Sequence, residues 1–461
     1  MLNKNDIVEL MNYSLSTGAD FCEFYFENFR CDYCSMVNNE INLFKTEIRS
    51  GIGIKIIFGD RVYYSSLNKL DKEFIMANIK KIIDNYNGTC IKNVSNLKLT
   101  NYDTFLSHNE EIASIVVDHE FVKKIVKLVN DGALECSNKI KKAITNYYES
   151  EKSFFVVNSE HINSSDIKRL TKISVNSIAR DGEKTEEGIN FFGGQQNDAF
   201  YDDLSLKQIG AKASKMALSL LKSIPCPSGT MPVVIGNGIG GILIHESCGH
   251  LLEANMGNIE TKVFISNNDK IIANSCLNVS DDPTLYNKWG SFDYDDEGYK
   301  TFKTILIENG KLKNLLYDTV GANILKIKDH CNSRRESYRY EGAPRMSNTF
   351  IENGTDSITD IFKDIKKGIY AKSFLGGDVD IEGNFNFAFK EAYLIENGRV
   401  SYPVKGGVLI GNAKEILFEI DKIANDLDFS IALCYASSGT LPVCVGQPTV
   451  RVNKMLVGGM E

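Results

Sequence analysis

The chain has 461 residues and 43% apolar content, enough for two or three packed domains. Its net charge of −8 excludes an electrostatic nucleic-acid binder, and no apolar run reaches the roughly eighteen residues of a membrane-spanning helix. The eleven cysteines are odd in number and scattered, which points to reduced thiols in a cytoplasm rather than a disulfide framework. In chain order, Met1 to Asp20 reads as an amphipathic helix rather than a leader peptide, with helical apolar spacing over Ile7 to Leu15. Phe21 to Arg30 reads as a strand. Ser35 to Arg49 reads as another, with Ile41, Leu43 and Phe44 as candidate inward residues. Cys31-x-x-Cys34 lies in strand-like sequence with no second pair nearby and reads as structural. Gly51 to Ile56 alternates strictly and is joined to Arg61 to Tyr64 by a Gly59-Asp60 turn, a hairpin. Glu73 to Tyr86 returns to helical spacing.

Gly88 to Asn109 lacks periodicity and reads as a connector, followed by a long helix over Glu120 to Ala143. Thr145 to Phe192 gives several strands, with turns at Asn163-Ser164-Ser165 and Asp181-Gly182. Leu206 to Leu221 is an amphipathic helix. Pro225-Cys226-Pro227-Ser228-Gly229 then marks a boundary between residues 1–224 and 225–461. The fold class is α+β: an N-terminal unit of antiparallel strands and long helices, then a largely antiparallel β unit. The hairpin signals Ile305 to Leu312 and Leu394 to Val400, each centred on Asn-Gly, support the second half of that reading.

The second unit carries the chemistry. A strand-like run, Met231 to Ile235, leads through a glycine-rich turn into Ile244-His245-Glu246-Ser247-Cys248-Gly249-His250-Leu251-Leu252-Glu253. Two of the chain's six histidines fall here, with a carboxylate beside the first. Two imidazoles hold a divalent ion and a carboxylate takes a proton from water, the donor set of a metal hydrolase. Histidines at i and i+5 stand about 140° apart on a regular helix, against about 40° for the usual i and i+4 pair. The spacing predicts a π-type bulge or a break near Gly249, distorting the helix between Ser247 and His250. The turn Gly236-x-Gly238-x-x-Gly241 satisfies a dinucleotide fingerprint formally. The parallel crossover strand ending in an acidic residue is missing, so close packing is the better reading.

Asp281-Asp282 and Asp295-Asp296-Glu297-Gly298 read as solvated turns, with a second metal as the alternative. Arg334 to Tyr340 reads on its chemistry as a solvated loop or edge strand. Its functional alternative is a set of donors, Arg334, Arg335 and Tyr338, for a peptide backbone or carboxylate. A catalytic zinc keeps three protein ligands. The available C-terminal thiols are Cys434, at the end of a strand-like run facing the loop Tyr435 to Thr440, and Cys444, inside an apolar run; the first is the better placed.

His245-Glu246-x-x-x-His250-x-x-Glu253 resembles the signature of the TldD family of metallopeptidases, in the TldD/PmbA group also called modulators of DNA gyrase. Further similar stretches are Asp295 to Gly298, Arg334 to Tyr340, Pro344 to Thr349, Gly376 to Asp380, Pro403 to Gly406 and Val445 to Thr449. The resemblance implies zinc held by His245, His250 and a C-terminal cysteine. An ungapped count back from Val445-Gly446-Gln447-Pro448 places that cysteine at Cys434. It also implies cytoplasmic peptidases that cleave short or unfolded peptides. They form dimers, with themselves or with a PmbA/TldE-like subunit lacking the metal motif. Glu246 would be the general base and Glu253 a carboxylate steadying a histidine. Two departures bear on substrate preference: Tyr435 to Thr440 replaces the usual Gly-Lys-x-Gly-Gln, and Asp378 stands where glutamine is common. The competing readings are a peptide-binding adaptor with a structural metal and a nucleotide-binding enzyme built on the glycine turn.

Overall fold

The computed structural model describes residues 2–59, 61–84, 86, 94, 97, 99–107, 118–195, 206–255, 270–380 and 382–459; the side chain of Asp378 is not among what it describes. The first half is one antiparallel sheet ordered β3-β2-β1-β4-β5-β6. Its strands are β1 (Phe21–Val37), β2 (Glu40–Phe58), β3 (Arg61–Leu67), β4 (Ile140–Asn158), β5 (Asn163–Asp181) and β6 (Lys184–Gln195). β1 runs past Arg30, and the turn falls at Asn38 and Asn39, both with left-handed φ. Asparagine tolerates that conformation, so the β1-β2 hairpin forms there and Ser35 to Arg49 is not one strand. Ile41 and Leu43 are consequently exposed on an uncovered stretch of β2, while Phe44 packs at the core edge.

Helices α1 (Lys4–Leu15) and α2 (Lys72–Ile83) cover one end of this sheet, and α3 (His119–Leu134) and α4 (Leu206–Leu220) the other. α3 ends at Leu134 rather than Ala143, because β4 claims the chain from Ile140 and pairs it with β5. Half of the Gly88 to Asn109 stretch lies outside the described residues. Within it 102–107 is helical, and Tyr102 and Phe105 pack on Phe26 and Phe155. The β4-β5 turn precedes Asn163: the Asn158 side chain accepts from the Glu160 and Ile162 N–H groups and closes it.

Period-two alternation sends the two faces of the sheet to different partners. Cys22, Phe24 and Phe26 face the helices. Glu23, Tyr25 and Glu27 face the second half of the chain, where Tyr25, Phe154 and Val156 meet Tyr338.

That second half is built on two sheets around a shared core. One contains β7 (Ile224–Pro225), β8 (Gly229–Ile235), β15 (Lys367–Val379), β16 (Asn384–Glu396), β17 (Arg399–Lys405), β18 (Val408–Asn412) and β22 (Val450–Gly458). The other is ordered β11-β10-β9-β14-β21-β20, from β9 (Val279–Asp281), β10 (Thr304–Glu308), β11 (Lys311–Leu312), β14 (Asn348–Ile351), β20 (Asp428–Ala436) and β21 (Gly439–Gln447). Both Asn-Gly hairpins form, with Asn309-Gly310 and Asn397-Gly398 at left-handed φ. Pairing is mostly antiparallel; β8-β15, β14-β21 and β7-β17 are parallel. The whole is a mixed α+β fold.

The acidic clusters are not solvated. Asp281, Asp295, Asp296 and Glu297 are all buried. Asp295 caps a turn, accepting from the N–H groups of Glu297, Tyr299 and Ser333. Asp296 and Glu297 join the two halves. Glu297 pairs with the buried Lys55 of β2 and accepts from Thr319. Asp296 lies 2.8 Å from Lys168 and accepts from the Arg335 N–H. Arg335 in turn lies 2.8 Å from Glu23. Burial alone would raise both carboxyls, but Lys152 and Lys168 beside Asp296, and Lys55 beside Glu297, hold them below the usual range. Their stabilising effect is complete above the unfolded carboxylate value of about 4 and is lost as pH falls through the lower folded values.

Two outcomes follow. Lys55→Met strands Glu297 and should cost about 3–5 kcal/mol by denaturant midpoint, with Lys55→Met/Glu297→Gln recovering much of it. The wild-type midpoint should drop as acid is added below about pH 4, and this drop should be smaller in the double variant.

Candidate metal centre

β8 delivers the chain to the site through Gly236–Gly241. Gly238 has a φ of +65°, and a Cβ on Gly241 would lie 2.6 Å from the Gly446 backbone. A Cβ on Gly240 would lie 2.7 Å from the Gln447 side chain. The glycines thus let the turn dock against β21. The helix that follows has one α turn, Ile242–Ile244, then a π turn, His245–Gly249, then a 3₁₀ turn, His250–Leu252. The His250 N–H bonds to the His245 carbonyl, so an i to i+5 hydrogen bond stacks the two histidines on one face. Gly249 itself is helical, at φ −57° and ψ −57°. Glycine is needed for space, not for an unusual backbone: a Cβ there would sit 1.9 Å from the Met346 sulfur.

The third group comes from β20. Cys434 Sγ lies 3.2 Å from His245 Nε2 and 3.2 Å from His250 Nε2. The three donor atoms lie within 4.8 Å of one another, and the imidazoles are nearly perpendicular at 82°. Ligands on a tetrahedral zinc are about 3.3–3.6 Å apart, close to the two 3.2 Å sulfur–nitrogen separations, so the residues present fit such an ion. Among the described residues this is the one cluster of metal-ligating groups with that geometry; the acidic clusters do not form another. Cys444 lies on β21, where its sulfur accepts from the Trp289 N–H and burial pushes its thiol up, as expected of a packing residue. The segment after Cys434 is shorter than the sequence suggests. β20 runs to Ala436 and returns at Gly439, so only Ser437 and Ser438 form the hairpin turn.

The imidazoles sit in opposite fields. Burial pulls His245 well below its ordinary value, and His250, Arg345 and Arg334 pull it further. Its Nδ1 is buried without a hydrogen-bond partner. Burial also works against charge on His250, but the Glu253 carboxylate and the Cys434 sulfur outweigh it and raise the ring well above the usual range. Glu253 Oε2 lies 3.0 Å from His250 Nδ1. Glu246 Oε2 stands 3.8 Å from His250 Nε2, half-buried at the edge of a cleft of about 740 Å³. Ile431 to Ala436 of β20, Trp289, Phe191 and Lys172 also line this cleft.

The PmbA/TldA metallopeptidase C-terminal domain matches residues 228–459, and the central domain of the same group matches 114–221. The metalloprotease TldD homolog of Buchnera aphidicola is 31% identical over 480 residues, covering 99% of this chain and 96% of the relative. The chain belongs to the PmbA/TldD metallopeptidase family. The zinc metalloprotease TldD homolog of Saccharolobus solfataricus is 32% identical, covering 63% of this chain and 65% of the relative. The fold is shared with TldE from Thermococcus kodakarensis, at a TM-score of 0.74 and 19% identity, covering 98% of this chain and all of that one.

Within this family member the sequence-picked residues separate into two groups. His245, Glu246, His250, Glu253 and Cys434 converge. Arg335 and Tyr338 do not: both are buried at the contact between halves, Arg335 on Glu23 and the Tyr338 N–H on Glu27. Arg334, Arg335, Ser337 and Tyr338 are buried, so the solvated-loop reading holds only for the exposed Arg339 and Tyr340. Arg335 and Tyr338 take part in the contact between the halves. Arg334 is buried too, donating to the carbonyls of Met346 and Pro442, at 2.8 Å for the latter.

Arg345 was not singled out by sequence reasoning, yet it ties the centre together. It donates to the Cys434 carbonyl at 2.9 Å and the Ser438 hydroxyl at 2.8 Å, and its Nε lies 3.7 Å from Glu253. One guanidinium thus braces both the sulfur-bearing strand and the carboxylate behind His250. The signals were its place in the family-like stretch Pro344 to Thr349 and its standing as the one charged residue from Ala343 to Thr349. Glu253→Gln and Arg345→Met should each weaken zinc affinity about 10- to 100-fold in a competitive chelator titration, with the folded state retained.

Proposed function

We propose that the chain is a zinc-dependent peptidase that hydrolyses short or unfolded peptides, with Glu246 as general base. The observation that carries this reading is the convergence of His245 Nε2, His250 Nε2 and Cys434 Sγ, with the Glu246 carboxylate beside them on the wall of an open cleft. Two imidazoles and one thiolate suit zinc over harder cations. When bound, zinc activates water at neutral pH and polarises a carbonyl. His245, kept neutral by burial, offers a lone pair without first losing a proton. Glu253 orients His250 through Nδ1, leaving Nε2 for the ion. Glu246 takes a proton from the attacking water at a carboxylate oxygen and returns it to the leaving amine.

The position of Cys434 also suggests how a peptide lies. β20 is the last strand of its sheet, and it lines the cleft. An extended peptide paired with that edge is read through its backbone, which suits unfolded substrates of varied sequence.

Three protein donors leave one of zinc's four positions open, which favours catalysis over the adaptor reading. The nucleotide reading loses its basis, since Gly240 and Gly241 are filled by β21. As part of the same proposal, the chain divides at 224/225, acts in the cytoplasm with reduced thiols, and pairs with itself or a TldE-like subunit. No disulfide is present among the described residues, and no described helix is long and apolar enough to cross a membrane.

Glu246→Gln should lower peptide hydrolysis by about 10²- to 10⁴-fold while keeping its zinc, measured by product chromatography and metal analysis together. Cys434→Ala should lose both. Full hydrolysis by zinc-loaded Glu246→Gln would refute the assignment of the base.

A further inference from the structure

The cleft at the metal centre does not end at β20. A second cavity of about 560 Å³ opens between the faces of the two halves, and it shares Lys172, Trp289 and Leu433 with the first. Leu433 is the residue next to Cys434, so the two spaces meet one residue from the sulfur. The second cavity is cationic in a chain whose net charge is −8. Arg49, Lys152, Lys168, Lys172, Arg334 and Arg335 line it, against the carboxylates Glu47, Asp296 and Glu336.

Most of these cations already have partners. Lys168 lies on Asp296, Arg335 on Glu23, and Lys152 and Arg49 within 3.6 Å and 3.5 Å of Glu27. Lys172 differs: it has no ion pair among the described residues, and its ammonium lies 5.4 Å from the centre of the Phe191 ring. Burial alone pulls its pKa down. Other donors of the lining residues also lack acceptors, among them Arg335 Nε and Nη1. Trp289 Nε1 and Arg334 Nε are both buried without a hydrogen-bond partner. A half-desolvated ammonium without an ion pair and several unmatched N–H groups make the lining richer in donors than its three carboxylates match.

We propose that this chamber is a carboxylate-binding subsite, in which Lys172 pairs with an anionic oxygen of the peptide: its terminal carboxylate or an acidic side chain. The subsite deepens the peptidase reading and rests on it. It gives a backbone-reading enzyme one point of chemical selectivity. A peptide on β20 has its reacting bond at the metal and its carboxylate beyond Leu433, against Lys172 and Trp289.

Trp289 is the chain's only tryptophan, so its fluorescence reports occupancy of the shared wall without any turnover. The test uses the full-length zinc-loaded Glu246→Gln chain and three tryptophan-free Ala/Gly octapeptides. One has a free C-terminal carboxylate, one a C-terminal amide, and one an amide with a penultimate aspartate. The carboxylate peptide should bind about tenfold tighter than the plain amide, and the advantage should shrink as salt is raised. Tighter binding of the aspartyl amide assigns the site to acidic side chains as well; weak binding restricts it to the terminus. Adding Lys172→Gln should abolish the discrimination, and Lys172→Arg should restore it. Equal affinity for all three peptides in the Lys172 parent overturns the subsite and leaves the peptidase reading standing. So does an equal loss for all three on Lys172→Gln. Absence of binding by any peptide overturns both.

Discussion

One hydrogen bond governs the rest: the His250 N–H to the His245 carbonyl. An α turn would point these rings apart. The widened turn costs regular geometry and brings two nitrogens to a common point facing β20. Everything around it holds that turn in place. β21 packs against the glycines that precede it, and Met346 fills the space that Gly249 leaves. Arg345 and Glu253 lock the ring and the strand that must meet. The motif alone is not sufficient; it needs a neighbour close enough to forbid a side chain at residue 249.

A second constraint is electrostatic. The N-terminal sheet offers the other half a mixed face, in which Glu23, Glu27 and Lys55 stand among Tyr25, Phe154 and Val156. Charges this deep are tolerated because almost every one meets an opposite charge or a backbone donor. Such an interface has little tolerance for sliding, since a shift of one residue would set like charges against each other. It fixes the floor of the cleft relative to β20 and so positions Lys172, from the first half, near a centre built wholly from the second.

Much of this was readable in the residues, because local signals carried it. The i and i+5 histidines demanded a bulge, and the bulge is there. The Asn-Gly pairs gave both hairpins, and the Gly51 to Tyr64 alternation gave a third. What failed depended on distant partners. Asp295 to Glu297 look like a surface turn unless Lys55 and Lys168 are known to lie opposite. Arg335 and Tyr338 look solvated unless β1 is known to cover them. Ile41 and Leu43 have apolar side chains but no layer above them. The helix over Glu120 to Ala143 was overextended because its apolar spacing runs straight into a strand that only tertiary pairing defines. Arg345 lies in a family-like stretch that carries no chemistry of its own; its importance lies in what separate segments place around it.

The sulfur stands 189 positions after the first imidazole. A nascent chain that has already exposed both histidines still lacks the residue that completes their coordination. Closure of the three-residue cluster waits on translation through residue 434. A chain terminated before residue 434 carries the two imidazoles without the sulfur that faces them.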